Sequence, residues 1–328
     1  MKLATLKSDQ PDGSLVIVSR DARLAVAADD LFPNLQAALD VWSEALPLLR
    51  ARSDELNAGR TPGAFAFDPK TAAAPLPRCY QWLDGSAFQS HGDLMSKVFK
   101  IENPQSDRPL MYQGMSHEFL SGSDEVVLPS EADGIDFEGE FGIITDYVPM
   151  GVATAEAADH IRLIVQINDW SLRTLAPIEM KTGFGWIQAK PACSVAPIAV
   201  TPDELGPAWN EGRVTLPLHV WWNGKQFGAA NGKAMAFSFP ELVAHAARTR
   251  KLCAGTIIGS GTVSNDTYRE IGSSCIAERR AIELLDCGHP VTEYMRFGDS
   301  VRMRATAPDG TAPFGSIDQR VAASAARA

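Results

Sequence analysis

Apolar and polar side chains alternate along residues 135–144, a pattern typical of a β-strand. With a period of two, Glu138 and Glu140 share one face of this strand, and Phe137 and Phe141 lie on the other. Acidic residues are uncommon in half-buried strands, because a charge packs poorly there without a partner. The stretch therefore has two interpretations: a sheet surface that faces solvent, or two carboxylates that bind a divalent cation.

The start of the chain has the pattern of a small α/β unit. Residues 15–27 are predicted to form a β-hairpin, and Asn34 is expected to cap a helix that Pro47 kinks or divides. Residues 60–77 are rich in proline, alanine and glycine, as linkers are. The predicted domains are a small N-terminal domain with its linker, residues 1–77, and a catalytic domain, residues 78–328.

After the linker, Asp84 and His91 lie seven residues apart, a spacing of about two helical turns that would place both near one face of a helix. Each also has an ordinary interpretation. Asp84 could be a helix N-cap, and His91 could be a partly buried imidazole without a chemical role.

Residues 154–167 are predicted to form a helix that runs into Asp169 and Arg173. On a helix, these two residues would lie four positions apart and could form an ion pair. A simple surface salt bridge is the alternative interpretation of this pair.

The second half of the chain is rich in predicted strands. Asn223 and Gly224 are typical of a type I′ hairpin turn, and residues 281–285 are predicted to be a strand. Lys190 lies in an apolar, glycine-flanked run, which favours a buried or functional lysine. The glycine turn at residues 259–265 could bind a carboxylate through its backbone amides.

Composition limits the possible functions. The chain has 328 residues, of which 45% are hydrophobic, enough for a sizeable core. A net charge of −10 argues against nucleic acid or an anionic membrane as a partner. The first residues lack a signal-peptide pattern and no apolar run is long enough to span a membrane, so a cytoplasmic location is expected. The five cysteines form no CxxC pair, which predicts free thiols.

The candidate acids are all hard oxygen donors. Such a set favours Mg²⁺, Ca²⁺ or Mn²⁺ over zinc, and a cation bound this way can stabilise a developing enolate. Lys190 and Arg173 could add positive charge at the same oxygens. His91 is a candidate general base that a carboxylate would orient, and Glu278 is either that carboxylate or a surface residue. The candidate metal ligands are Asp84, Glu138, Glu140 and Asp169.

In their order along the chain, these residues resemble the fumarylacetoacetate hydrolase family, over about residues 78–310. The N-terminal unit also resembles the N-terminal domain of bacterial fumarylacetoacetases. The combination of motifs is specific, although no single motif is. The motifs are Asp84-x6-His91, Glu138-Gly139-Glu140, Asn168-Asp169-Trp170-Ser171-x-Arg173, the region of Lys190, and Gly259-Ser260-Gly261-Thr262-Val263-Ser264.

The resemblance implies an α+β fold, mainly β, with a C-terminal mixed β-roll or sandwich and usually a homodimer. In that family a histidine–carboxylate pair activates water, which attacks a carbonyl of a 1,3-diketo acid, and the carbon–carbon bond then breaks. The metal holds the enolate. Carried over to this chain, His91 is the base, Glu278 is its partner, and Arg173 and Lys190 stabilise the leaving carbanion.

The resemblance also implies residues that contact the substrate. Ser194 stands where the family often has threonine near the metal. The family pattern has glutamine and tyrosine where this chain has Ala176 and Met180, and the alignment around Glu278 needs an adjustment of two residues. These departures bear on the substrate and not on the type of reaction. The expected substrate-binding residues are Ser86, Lys100, Tyr112 and Thr262.

Three hypotheses follow. The first is a metal-dependent hydrolase of a β-diketo acid, with fumarylacetoacetate cleaved to fumarate and acetoacetate in the breakdown of tyrosine and phenylalanine. The second uses the same metal for acylpyruvate hydrolysis, oxaloacetate decarboxylation or 2-keto-4-pentenoate hydration. The third is a structural calcium site in a binding module without enzymatic activity.

Overall fold

The structure is a computed structural model that describes residues 1–99 and 108–325. The fold is α+β and mainly sheet, as predicted. Its helices are α1 (Leu35–Asp40), α2 (Trp42–Asn57), α3 (Gln89–Phe99), α4 (Thr154–Ala157), α5 (Ala176–Met180), α6 (Pro202–Leu205), α7 (Phe239–Ala246), α8 (Tyr268–Ile271) and α9 (Ile276–Cys287).

The strands vary from two to eight residues in length. They are β1 (Lys2–Leu6), β2 (Ser14–Val18), β3 (Leu24–Ala27), β4 (Phe65–Ala66), β5 (Trp82–Ser86), β6 (Leu110–Gly114), β7 (Leu120–Ser121), β8 (Val126–Leu128), β9 (Ile135–Asp136), β10 (Gly139–Thr145), β11 (Ile161–Asn168), β12 (Ser171–Leu172), β13 (Ser194–Val195), β14 (Ala199–Val200), β15 (Trp209–Asn210), β16 (Arg213–Val214), β17 (Pro217–Trp222), β18 (Lys225–Asn231), β19 (Ile257–Gly259), β20 (Ser300–Ala305) and β21 (Ile317–Ala323).

The N-terminal unit contains the predicted hairpin, formed by β2 and β3. Asn34 caps α1, accepting a hydrogen bond from the Ala37 N–H at 2.9 Å. Of the two predicted effects of Pro47, a kink or a division of the helix, the division is wrong. The helix breaks at Val41, where the backbone leaves the helical region, and Pro47 lies within α2. In the same sheet, β1 pairs with β14, so the N-terminal strands continue a larger sheet.

That larger sheet holds the candidate site. Its main strand order is β4-β3-β2-β1-β14-β11-β10-β19-β5-β6. Strand β10 runs antiparallel to both β11 and β19, whereas β19 runs parallel to β5. The four strands β11, β10, β19 and β5 are therefore neighbours, and side chains at their adjacent ends can meet although they are far apart in sequence.

A second sheet, in the order β18-β17-β20-β21-β8, packs against the first. Phe141 from the first sheet and Leu218 and Met303 from the second share one buried core. Asn223 and Gly224 connect β17 to β18 and both have positive φ, which confirms the predicted type I′ turn.

Two secondary-structure predictions are wrong. Residues 154–167 do not form one helix: α4 and a 3-10 turn, Ala158–His160, are followed by β11. Since β11 is almost wholly buried, its apolar run has no alternation and imitates helical spacing. Residues 281–285 belong to α9, not to a strand.

In the part of the chain that the structure describes, no helix combines the length and the apolar character needed to cross a membrane.

Candidate active site

Three carboxylates from distant parts of the chain meet at one end of the large sheet. Asp84 lies on β5, Glu140 on β10, and Asp169 directly follows β11. One oxygen from each lies within 4.8 Å of the others, and all three side chains are buried. They meet because β11, β10, β19 and β5 are neighbours in the sheet.

The positions of these side chains exclude several interpretations that the sequence left open. Asp84 lies on a strand, so it is not a helix N-cap and does not share a helix face with His91, which lies on α3. Glu138 and Glu140 are buried, so the interpretation as a solvent-facing sheet surface is wrong. The predicted alternation nevertheless brings these two carboxylates to the same side of the strand.

Two glycines, the last residue of β19 and one in the turn that follows, lie against the carboxylates. A Cβ on Gly259 would lie 2.3 Å from Asp84 Oδ1 and 3.1 Å from Glu140 Oε2. Gly261 has positive φ, and its N–H donates to Asp84 Oδ1 at 3.0 Å. The turn thus binds a carboxylate through a backbone amide, as predicted, and this carboxylate belongs to the protein itself.

We expect Gly259→Ala to destabilise the protein by about 1–3 kcal/mol, because the added methyl overlaps Asp84 and Trp82 in a closely packed region. Urea unfolding measures this loss. The control is Gly92→Ala in α3, where a Cβ meets none of the described atoms within 4 Å and alanine favours the helix. Equal stability of the Gly259 variant and the wild type would contradict the expectation.

The fourth predicted ligand, Glu138, is held by cations beside this cluster. Lys190 Nζ donates to Glu138 Oε1 at 2.7 Å and to Asp169 Oδ2 at 2.6 Å, and Arg173 Nη2 lies 3.1 Å from Glu138 Oε1. Ser171 also donates to Glu138 Oε1, at 2.6 Å. The structure therefore brings together three of the four predicted carboxylates, and Lys190 connects Glu138 to them.

Arg173 does not pair with Asp169, so the predicted helical ion pair is wrong. Arg173 Nε instead donates to the buried Asp136 at 2.8 Å. Asp136 also accepts the N–H groups of Ile276 and Ala277, the first residues of α9. Sequence analysis missed Asp136, although the same alternation that selected Glu138 includes it.

Burial and neighbouring charges shift the pKa values of the carboxyl groups in the site. Burial, followed by the charge of Asp169, raises the pKa of Asp84 to about 8, and burial with the charge of Asp84 raises the pKa of Glu140 well above its ordinary value. Burial would also raise the pKa of Glu138, but Arg173 and Lys190 outweigh it and hold this pKa well below the ordinary range. Two carboxyls of the cluster are therefore costly to ionise in the protein alone.

These residues fit a divalent cation. Both carboxylate oxygens of Glu140 are buried and, among the described residues, neither has a hydrogen-bond partner. Neither Asp84 nor Glu140 forms an ion pair with any described cationic side chain, whereas Lys190 and Arg173 take up Glu138 and one oxygen of Asp169. An all-oxygen set in which two of three carboxylates have no ion-pair partner suits Mg²⁺, Ca²⁺ or Mn²⁺. Asp84, Glu140 and Asp169 are the residues that would hold it.

In protein stripped of divalent cations, we expect thermal stability to fall as the pH rises from about 6 to about 8. The folded state keeps protons on Asp84 and Glu140 that the unfolded carboxyls have already lost. Unfolding then releases protons, so the free energy of unfolding decreases throughout this window. Scanning calorimetry in a chelating buffer measures the slope.

Saturating Mg²⁺ and the variant Glu140→Gln are the two controls for this slope. Each removes the cost of ionising Glu140, so each should flatten the pH dependence of the metal-free protein. A metal-free wild type whose stability rises over the same window would contradict the assignment.

His91 and Glu278 form the predicted contact. The His91 Nδ1 and Glu278 Oε2 atoms are 3.0 Å apart, and Ser264 Oγ donates to Glu278 Oε1 at 3.0 Å. Glu278 is fully buried in the first turn of α9, so the interpretation as a surface residue is wrong. The backbone of Glu138 pairs with that of Cys275, which places this turn next to the carboxylates.

The predicted substrate-binding residues lie in environments that differ from one residue to the next. Tyr112 donates its hydroxyl to Asp169 Oδ2 at 2.7 Å, and Thr262 donates to Glu138 Oε2. Ser86 is exposed at the end of β5. Lys100 lies outside the described residues. Ser194 is buried and accepts a hydrogen bond from Trp170 Nε1 at 2.9 Å, so its hydroxyl is engaged by the indole.

Two further residues surround the site without having been predicted. Cys193 Sγ donates to Asp169 Oδ1 at 2.9 Å. Trp186 packs edge-on against Tyr112, with ring centroids 4.7 Å apart, and Lys190 Nζ lies 5.7 Å from the indole. No periodicity or spacing indicates these contacts, because they come from a loop that folds back onto the sheet.

Two family models match the chain. Residues 81–322 match the model described as "Fumarylacetoacetate (FAA) hydrolase C-terminal", and residues 1–78 match the model described as "Fumarylacetoacetase N-terminal domain 2". The first match alone covers more than half of the chain.

One curated protein and two solved structures are also similar to this chain. A 2,4-didehydro-3-deoxy-L-rhamnonate hydrolase from Sphingomonas sp. (strain SKA58) is 28% identical over 48% of this chain and 54% of that protein. The chain thus spans about half the length of this curated relative. Two solved structures match this chain over 99% of its length and over 100% of their own length. They are maleylpyruvate hydrolase from Sphingobium sp. SYK-6 in complex with manganese(II) and pyruvate (TM-score 0.66, 18% identity) and fumarylacetoacetate hydrolase from Exiguobacterium antarcticum (TM-score 0.68, 16% identity).

Proposed function

Because the chain belongs to the fumarylacetoacetate hydrolase family, we propose that it hydrolyses a carbon–carbon bond of a β-diketo acid in a cation-dependent reaction. One observation carries this proposal: a buried cluster of three carboxylates, two of them without an ion pair to any described side chain, lies beside a histidine that contacts a buried glutamate. The first part suits a hard cation, and the second suits activation of water.

His91 is the proposed general base. It accepts a proton from water while the water oxygen bonds to a carbonyl carbon of the substrate. Glu278, in contact with Nδ1, orients the ring and stabilises its protonated form. When the carbon–carbon bond breaks, its electron pair goes to the enolate, and His91 returns the proton to that product.

Lys190 and Arg173 are the proposed electrostatic groups for the leaving enolate. Both keep fixed positions because Glu138 lies between them, in contact with both cations. A cation held by Asp84, Glu140 and Asp169 would supply Lewis-acid chemistry at the substrate oxygens. Tyr112 and Thr262 fix the orientation of Asp169 and Glu138 through their hydroxyls.

Fumarylacetoacetate, cleaved to fumarate and acetoacetate, is the proposed substrate. An acylpyruvate is the second candidate, and a specific observation favours it. Ala176 and Met180 replace the glutamine and tyrosine of the fumarylacetoacetase pattern, and Met180 is mostly exposed.

A substrate panel tests the proposal. Fumarylacetoacetate, maleylpyruvate and oxaloacetate are incubated with the Mg²⁺-loaded protein, and loss of substrate absorbance is followed together with product analysis. We expect hydrolysis of a diketo acid and its loss in Glu140→Gln. Turnover of oxaloacetate alone would contradict carbon–carbon hydrolysis, and failure to turn over any of the three would favour a structural calcium site.

We also propose that the protein is a homodimer. Four large apolar side chains between residues 178 and 187 are exposed: Ile178, Met180, Phe184 and Ile187. Exposed apolar groups of this kind support a protein interface. Size-exclusion chromatography with light scattering tests this, and a monomer at micromolar concentration would contradict it.

A further inference from the structure

The thiol of Cys275 lies beside the proposed water-activating pair. Its Sγ, a ring nitrogen of His91 and a carboxylate oxygen of Glu278 all lie within 4.8 Å of one another. Cys275 and Glu278 are fully buried, whereas the His91 side chain is 17% exposed. The imidazole is therefore the member of this group that is open to solvent.

The fold fixes the position of the thiol. Cys275 is the N-cap of α9, and its Sγ accepts the Glu278 N–H at 3.3 Å. The backbone of Cys275 pairs with that of Glu138, and Asp136 holds the next two N–H groups of the helix. The sulfur and the glutamate are thus anchored by the same helical turn.

This donor set differs from the three-carboxylate cluster. It offers one nitrogen, one sulfur and one oxygen, a combination that favours Zn²⁺ over Mg²⁺ or Ca²⁺. A thiolate and a carboxylate together balance a charge of +2. Zinc bonds of about 2.0–2.3 Å require the three ligand atoms to lie closer together than 4.8 Å, so binding of the ion draws them together by about 1 Å.

We propose that Cys275, His91 and Glu278 form a second cation site that takes Zn²⁺. An ion bound there inhibits the enzyme, because it coordinates a ring nitrogen of His91, the proposed general base. Three protein ligands leave the fourth position to water. On binding, the Cys275 thiol releases its proton to solvent and the thiolate bonds to the ion. The binding part of this proposal requires no turnover and is therefore independent of the proposed function.

Cobalt(II) is a spectroscopic probe for the site. With saturating Mg²⁺ present to fill the carboxylate cluster, the full-length protein is titrated with Co²⁺. We expect a thiolate-to-cobalt charge-transfer band that saturates at one ion per chain and is absent in Cys275→Ser. Serine keeps the helix cap, so loss of the fold is not expected to remove the band.

Cys193→Ser is the matched control, because Cys193 is also buried but contacts Asp169 of the carboxylate cluster. The band should persist in this variant. A band of wild-type strength in Cys275→Ser, or one that Cys193→Ser abolishes, would overturn the proposal.

Inhibition is measured separately, each variant against its own zinc-free rate. We expect Zn²⁺ to inhibit the Mg²⁺-loaded wild type and the half-inhibitory concentration to rise at least tenfold in Cys275→Ser. Unchanged inhibition in that variant would refute the inhibitory role. A cobalt band in a protein that turns over no diketo acid would refute the proposed function and leave the zinc site intact.

Discussion

Replacing His91 with alanine is expected to lower the rate of diketo acid hydrolysis by about 10²–10⁴-fold, the usual contribution of a general base. The imidazole is the group that would take the proton from water, and its partner Glu278 is buried and already accepts a hydrogen bond from Ser264. The partly exposed ring adds little to the core, so the melting temperature should change only slightly.

His160→Ala is the matched control for this variant. His160 is similarly exposed and contacts a carboxylate in the same way, with its Nδ1 at 2.8 Å from Asp146. That variant should keep wild-type turnover. If His91→Ala also keeps near-normal hydrolysis of the diketo acid, water activation by His91 is wrong.

Replacing Lys190 with methionine is expected to reduce both stability and activity. Burial alone would lower the pKa of Lys190, but Asp169 and Glu138 outweigh it and raise this pKa above its ordinary value, so the lysine is charged. Methionine keeps the length of the side chain and leaves two buried carboxylates without this partner. We expect a loss of about 3–5 kcal/mol in the free energy of unfolding and about 10²–10³-fold in turnover.

Two further variants distinguish the structural role of Lys190 from its chemical role. Lys7→Met breaks a solvent-exposed ion pair with Asp124 and should cost no more than about 1 kcal/mol. Adding Glu138→Gln to Lys190→Met removes one of the buried charges and should recover part of the stability without recovering turnover. A Lys190→Met protein that is as stable and active as the wild type would show that this ion pair contributes nothing.

Much of the site could be predicted from sequence because its members stand out locally. Glu138 and Glu140 interrupt an apolar strand, and Lys190 interrupts an apolar loop. Such residues need a charged partner or an ion wherever the chain places them. Several such interruptions occur in a fixed order along the chain. This order carries the family resemblance, and the resemblance implies the fold class.

The pairing of these residues could not be predicted, because tertiary contacts decide it. Local spacing favoured Asp169 as the partner of Arg173. In the structure, Arg173 pairs with Asp136, and Asp169 pairs with Lys190. The buried strand β11 concealed its own periodicity and appeared helical. Likewise, the contact between Cys275 and His91 depends on the packing of α9 near α3, which no local pattern indicates.

The most direct test measures manganese binding and catalysis on the same samples. Protein stripped of metal is titrated with Mn²⁺, and the bound ion and the rate of diketo acid cleavage are recorded at each step. We expect no turnover without metal, and a rate that rises with occupancy and saturates at one Mn²⁺ per chain, with both signals lost in Glu140→Gln. Cleavage that persists after complete removal of metal would contradict it.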